Sequence, residues 1–474
     1  MRVLFIGDMA PTGFGTVTKD LGLALLERGD DVRFMSHYSV GQAEESAEPF
    51  RSRTLNITTF VVTDEGVSDI NVSMQALFAG TTPGRFVSGQ AWGSWIPEGV
   101  IILGDYAAAW LIVSEAMEAF QAFDGWIGHY IPVEGVDLPP AWKALWDVVT
   151  PIAMSKFGQT EIAKVTGVVP PLAYHGVDTE AFHPVSAEQP IILANADGDA
   201  ELTTKADCKR AWMGYFDTPQ LGNTWILRTD RHMPRKRHNA LIRAAAPVLV
   251  QHPEAVLILH CAARDQGGFL PWSISKTGML GPWEQQPIGT PMLYAFPGRT
   301  PQIIVTNAPG LSRTQLVSLY NAADVYASNS AEGFGLTIAE SLACGVPALG
   351  IDYSAVPEVI GPAGRTVPVA HLEDNVFDHC WAAVHEGKYA YWLEKLVNSQ
   401  PERERLGALG PPHVRETFSW TGAARVFGAL IESATQEDQS RAPSRLASGL
   451  TLSEEASAGS GPPRGIPAAT APSQ

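Results

Sequence analysis

Basic residues are in deficit along this chain. Its 474 residues include 33 Lys and Arg against 50 Asp and Glu, a formal net charge of −17. With no Lys/Arg block to offset that charge, a general nucleic-acid-binding role is disfavoured. Cysteine is also sparse. The four thiols, Cys208, Cys261, Cys344 and Cys380, form no Cys-x-x-Cys pair, and no His cluster stands at metal-ligand spacing. This argues against a disulfide framework or a structural zinc site and for reduced, mostly buried thiols. No uninterrupted apolar stretch approaches the ~20 residues that a membrane helix needs. The opening MRVLFIGDMAPTGFG carries one basic residue and a short apolar run ending in Gly-Asp, the pattern of a first β-strand more than of a signal peptide. The expectation is a cytoplasmic enzyme without a transmembrane segment.

What is present is α/β patterning on a large scale. A hydrophobic content of 45% over this length supports two or three cores. RVLFIG (2–7) reads as a buried strand, DMAPTGFGT as a loop, Val17 to Arg28 as a helix, and DVRFMSHY as the next strand, a βαβ unit of a doubly wound sheet. Further strands are expected at 58–63, 99–104, 125–131 and 147–155, alternating with helical stretches such as 107–122. A second α/β unit opens with WILRTD near Thr224, with a helix from Asn239 to Val250 and the strand AVLILHCA at 255–262. Residues 266–300, rich in Gly, Pro and Trp, read as an insertion, either an acceptor-side loop or plain surface. From 436 onward Ser, Ala, Pro and Gly predominate, a composition that predicts disorder.

The chemistry concentrates in two segments. In SAEGFGLTIAESLACGVPALG, a buried strand end leads into a Gly-Phe-Gly turn that opens a helix. Gly333 and Gly335 let the backbone approach a ligand, and the first-turn N–H groups favour anions. Glu332 precedes the turn and Glu340 lies further along the helix, so the two carboxylates can address different parts of one ligand. In WILRTDRHMPRKRHNALIRAA, Arg231 and Lys236 sit between a strand and a helix, where two cations can neutralise a diphosphate. Read alone, the same stretch could be a basic solvated loop.

The first segment resembles the E-x7-E signature of retaining glycosyltransferases of the GT-B fold, family 4 (group 1). The resemblance spans about residues 1–432, strongest in the second unit. It implies two facing Rossmann-like, doubly wound domains, an acceptor domain (1–182) and a nucleotide-sugar donor domain (223–413) joined by a connection (183–222), with a helix crossing back over the first domain (414–435); the disordered tail expected from composition is 436–474. It also implies that Glu332 contacts the donor sugar and Glu340 the ribose, that Arg231 and Lys236 hold the diphosphate, and that Gly333, Phe334, Gly335, Leu336 and Thr337 line the donor. In Thr12-Gly13-Phe14-Gly15-Thr16, Gly13 and Gly15 resemble the family's glycine-rich loop, although Thr18 replaces the last glycine of a dinucleotide-binding G-x-G-x-x-G. His129 is the candidate for the family's first-domain histidine, with Glu134 or Asp105 as alternatives. His175 stands where asparagine is common, and Glu358 is expected to shape the nucleotide pocket.

The reaction so implied is transfer of a hexosyl group with retention, from a UDP- or GDP-type donor. Fixed cations would replace a metal, with no further cofactor and an open choice of acceptor among glycan, lipid, protein and metabolite. Nucleic acid is disfavoured as a partner. Alternatives are a nucleotide-sugar epimerase or phosphorylase on the same fold, a catalytically silent nucleotide-sugar binding protein, and a dinucleotide oxidoreductase, which binding of NAD would reveal.

Overall fold

The computed structural model describes residues 1–36, 47–56, 69–80, 94–194, 199–308, 310–375 and 379–445. The strand expected at 58–63 lies outside them, as do residues 446–474. The first unit is built on a six-stranded sheet in the order Thr54–Asn56, Asp31–Ser36, Arg2–Gly7, Gly99–Leu103, Trp126–Ile131, Thr150–Ala153, all parallel. Val3, Leu4, Phe5 and Ile6 are all fully buried, so both faces of the first strand are covered. That explains why these strands read as continuous apolar runs instead of alternating ones.

The second unit carries a seven-stranded sheet in the order Met292–Tyr294, Ile303–Val305, Ala255–His260, Thr224–Thr229, Val325–Ala327, Ala348–Ile351, Gly364–Val367. Only the pairing of Met292–Tyr294 with Ile303–Val305 is antiparallel. That edge strand belongs to the 266–300 insertion, which is therefore folded into the sheet and carries the exposed Trp272 and Trp283 beside it. The stretch 183–222 does not span freely between the units. Its hairpin (Ile191–Leu193, Ala200–Leu202) and helix Lys205–Tyr215 pack on helix Arg313–Ala322, with Trp212 Nε1 donating to Ser318 Oγ at 3.0 Å.

The described residues close with helix Gly410–Thr417 and a separate helix Trp420–Arg445, which passes the boundary expected at 435 and enters the segment expected to be disordered. The last helix crosses back onto the first unit. Phe427 packs edge-on against Trp126 and Tyr130, and a Cβ added at Gly99 would lie 2.7 Å from Ile431. Among the described residues no helix is long and apolar enough to cross a membrane.

In the second sheet the strand order reverses between Thr224–Thr229 and its neighbour Val325–Ala327. Loops leaving the carboxyl ends of strands at such a reversal splay apart and leave a crevice for ligands. The two loops here are 230–237 and 328–335, which hold both chemistry-bearing segments.

Candidate active site

The two loops are joined by a buried network of charge. Strand residue Arg228, 0% exposed, pairs with Asp230 (Nε to Oδ2, 2.6 Å) and donates to Ser330 Oγ (2.7 Å) and to the Ala327 carbonyl (3.1 Å). Lys236 Nζ lies 2.7 Å from Asp230 Oδ1 and donates to both carboxylate oxygens of Glu332, at 2.8 and 2.7 Å. Ser330 donates to Glu332 Oε1 (2.7 Å), and the Glu332 N–H donates to Ser354 Oγ (2.9 Å). Burial alone would push the Glu332 carboxyl up, but Lys236 and Arg235 more than offset it and hold the group below the usual carboxylate range. Asp230 is likewise held down by Arg228 and Lys236 against its burial.

Glu340 has the opposite electrostatics. It is buried on helix Leu336–Ala343 and accepts a hydrogen bond from the Tyr320 hydroxyl at 2.9 Å. Burial pushes its pKa up to about 8, only partly countered by Tyr320 and Arg313. The two signature glutamates thus differ in protonation near neutrality, one fixed as an anion and one close to its titration point. Gly335 adopts φ +102°, a left-handed conformation that glycine takes without steric cost. The helix then starts at Leu336, with Thr337 next in its first turn, where N–H groups have no intrahelical acceptor. Gly333 serves a different need: a Cβ there would sit 2.4 Å from Pro132 Cβ of the first unit.

Several expected site residues are placed elsewhere. Arg231 is turned from the buried network toward Asp265, with Nη2 to Oδ1 at 3.0 Å and its side chain 58% exposed. Arg235 occupies the position beside Lys236, bonding Glu332 Oε2 (3.3 Å) and the Ala331 carbonyl (3.0 Å). His129 is fully buried: Nε2 is 3.1 Å from the Gly104 carbonyl and Nδ1 is 3.3 Å from Trp146 Nε1. Both ring nitrogens are engaged and burial lowers the pKa to about 4, so it is a neutral structural imidazole with no access to a ligand. Asp105 caps helix Tyr106–Glu115 through the Ala108 N–H. Of the three first-unit candidates, only Glu134 reaches the network, 3.4 Å from Arg235 Nε.

Phe334 is 3% exposed, its ring against His175 and Phe418, so it anchors the turn in the core instead of lining a ligand. His175 is itself buried on the Tyr130 hydroxyl at 2.7 Å. Glu358 is turned to the first unit. It accepts from the Lys156 and Phe157 N–H groups (3.0 and 3.2 Å) and the Tyr174 hydroxyl (2.8 Å), closing the amino end of first-unit helix Lys156–Thr166 from the second unit. In the glycine-rich loop, Thr12 caps helix Gly13–Glu27 and donates to Asp8 Oδ2 (2.8 Å). A Cβ at Gly15 would strike the Ala10 carbonyl oxygen, whereas Gly13 faces open space.

Arg228, Asp230, Arg235 and Ser330 are members of the network that sequence reasoning did not single out. Their signal was the crowding of basic residues after WIL and the Ser two positions before Glu332. An Asp-x-Asp triplet occurs in the connection, at Asp197 to Asp199, so the expectation that no metal is needed has only the cations behind it.

Two facing doubly wound sheets with a helix returning from the second to the first define the GT-B fold. A crystal structure of Anabaena HepE in complex with UDP and glucose superposes with a TM-score of 0.63 at 13% identity, covering 91% of this chain and 100% of that one. A crystal structure of WaaG, a glycosyltransferase involved in lipopolysaccharide biosynthesis, gives 0.56 at 11% identity, with 90% and 99% covered. These likenesses concern the fold. In sequence, the family described as Glycosyl transferases group 1 matches residues 302–374, a span holding both signature glutamates. A GDP-mannose-dependent monoacylated α-(1-6)-phosphatidylinositol monomannoside mannosyltransferase of Corynebacterium glutamicum is 26% identical over 252 residues, 52% of this chain and 51% of that protein. An MMP α-(1→4)-mannosyltransferase of Mycolicibacterium hassiacum is 33% identical over 132 residues, 28% and 29% of the two chains. The chain spans about half or less of the length of these curated relatives. Together the family match and the relatives support a glycosyltransferase.

Proposed function

We propose that this protein transfers a hexosyl group, with retention of configuration, from a nucleoside-diphosphate sugar to an acceptor. It would be a family 4 enzyme acting in the cytoplasm. The observation that carries this reading is the Lys236–Glu332 pair standing beside the Gly335 helix start at the strand-order reversal. Glu332 would hold donor-sugar hydroxyls as a fixed anion, and Glu340 would receive the ribose hydroxyls.

The diphosphate needs at least one cation beyond those whose charge the free protein has already matched. Arg228, Arg235 and Lys236 are matched by Asp230, Glu332 and Glu134 inside the network. Arg231 is held by a two-pronged ion pair to Asp265 whose arginine side is 58% exposed, and solvent on that side keeps such a pair to about 1 kcal/mol. It is therefore free to leave Asp265 for a phosphate at little cost, which keeps it in the diphosphate role. With Lys236 and the N–H groups that follow Gly335, it would stabilise the negative charge that accumulates on the leaving phosphate as the anomeric carbon becomes oxocarbenium-like. The acceptor would attack from the face that the leaving group departs, its proton passing to the departing phosphate oxygen. No step requires a carboxylate nucleophile or a metal.

The test is calorimetric titration with UDP, GDP, ADP and NAD in parallel, with EDTA present. Tight binding of one nucleoside diphosphate, followed by turnover of the corresponding nucleotide sugar, is the expected result. Binding of NAD alone, or binding without any turnover of donor, would replace the reading with an oxidoreductase or a silent binding protein.

A further inference from the structure

The loop that follows first-unit strand Trp126–Ile131 is docked on the second unit at several points. Pro132 lies against Gly333, where no Cβ would fit. The Val136 N–H donates to the Tyr353 hydroxyl (2.9 Å), and Val136 exchanges backbone hydrogen bonds with Cys380, at 3.2 and 2.9 Å. Between these contacts, Glu134 Oε1 meets Arg235 Nε at 3.4 Å. The same guanidinium touches Glu332 Oε2 through Nη1.

Arg235 is well fixed to transmit such a contact. It stands in the short helical turn Pro234–Lys236, which opens on a proline and is closed by Arg237 in a left-handed conformation (φ 52°). Its Nη1 is also tied to the Ala331 carbonyl, one residue before Glu332. One guanidinium therefore spans a carboxylate supplied by the first unit and the carboxylate that faces the donor sugar. Lys236 alone would pull Glu332 toward Asp230, which it also binds.

We infer that Arg235 is a positioning residue that ties the orientation of Glu332 to the docking of the 132–136 loop, with Glu134 as the signal from the first unit. This role rests on the donor reading of Glu332 given above. When the loop is docked, Glu134 holds the guanidinium so that Glu332 is shared between Arg235 and Lys236. When the loop withdraws, that hold is lost and the donor-facing carboxylate is no longer set for transfer. Turnover then depends on both units being in place, while nucleotide affinity depends chiefly on the second.

The experiment compares the full-length protein with Glu134→Gln, Arg235→Gln, the double variant and Arg235→Lys. Readouts are UDP and GDP affinity, hydrolysis of UDP-glucose and GDP-mannose in the absence of acceptor, and thermal stability. Each single variant should lower kcat on the donor by about tenfold or more with nucleotide affinity within about twofold. The double variant should be no worse than the more severe single one, because the two residues act as a unit. Arg235→Lys, which keeps the charge but not the fork, should recover part of the loss. Additive losses, or lower stability with unchanged kcat, would overturn the role and leave a plain interdomain ion pair. If the unsubstituted protein neither binds UDP or GDP nor hydrolyses either donor, the donor reading itself falls, and this role with it.

Discussion

Replacing Lys236 by methionine keeps the length of the side chain and removes one charge from the buried network. Two carboxylates lose a cation at once, Asp230 keeping Arg228 and Glu332 keeping Arg235, since Lys236 Nζ is 2.7 Å from both and its side chain is only 11% exposed. Breaking a buried pair from one side costs about 3–5 kcal/mol. For a unit of roughly 200 residues this corresponds to a fall in Tm on the order of 10 °C. The pH dependence follows from the carboxylates. Both are held below their ordinary values of 4.5 and 3.8, so their stabilisation is present above those values and is lost as pH falls through the lower folded ones. Removing the lysine raises the folded values toward or past the ordinary ones. Calorimetric melts of the two proteins should therefore differ fully at pH 7.5, and the difference should close as pH drops below about 4. A loss below about 1 kcal/mol, typical of an exposed pair, would refute the reasoning. So would a loss of equal size at both pH values.

Glu340→Gln should gain stability relative to the unsubstituted protein as pH rises from about 4.5 to about 8, because a carboxyl raised to about 8 by burial destabilises the fold over that window; pH-resolved melts check this, and the same variant should bind UDP or GDP more weakly. Arg231→Ala should leave the stability within about 1 kcal/mol of the original, the arginine side of its ion pair being open to solvent, yet slow donor turnover by about a hundredfold or more; unchanged turnover would remove it from the diphosphate role. Gly333→Ala should destabilise by about 1–3 kcal/mol through collision with Pro132, and limited proteolysis should find residues 132–136 more open to cleavage.

The legibility of this fold in its sequence followed burial. Strands buried on both faces give unbroken apolar runs, so Arg2–Gly7, Gly99–Leu103, Thr224–Thr229 and Ala255–His260 stand out, and a Gly-Phe-Gly turn between a strand and a helix marks the strand-order reversal. Which polar residues face a crevice was not legible. His129 sits within an apolar strand, and only the distant Trp146 and Gly104 show that both its nitrogens are occupied. Phe334 has the spacing of a ligand contact but meets His175 and Phe418 from far along the chain. The choice between Arg231 and Arg235 hangs on partners 34 and 97 residues away, which local pattern does not reveal. The helical extension to Arg445 and the packing of the 183–222 stretch on the second unit were hidden for the same reason: their composition alone resembles linker.

The helix that returns to the first unit makes the order of synthesis matter. Phe427 and Ile431 cover Trp126, Tyr130 and Gly99, and Arg28 reaches Glu432 at 3.0 Å, so part of the first unit's wall is supplied by residues made only after the second unit. At about 5–20 residues per second, the second unit takes roughly 10–50 s to emerge, and through that interval the first unit exposes an uncovered apolar seam. A growing chain of this protein is a natural client for chaperones that shield such seams, and release before the last helix docks leaves both the fold and the cleft between its halves unfinished.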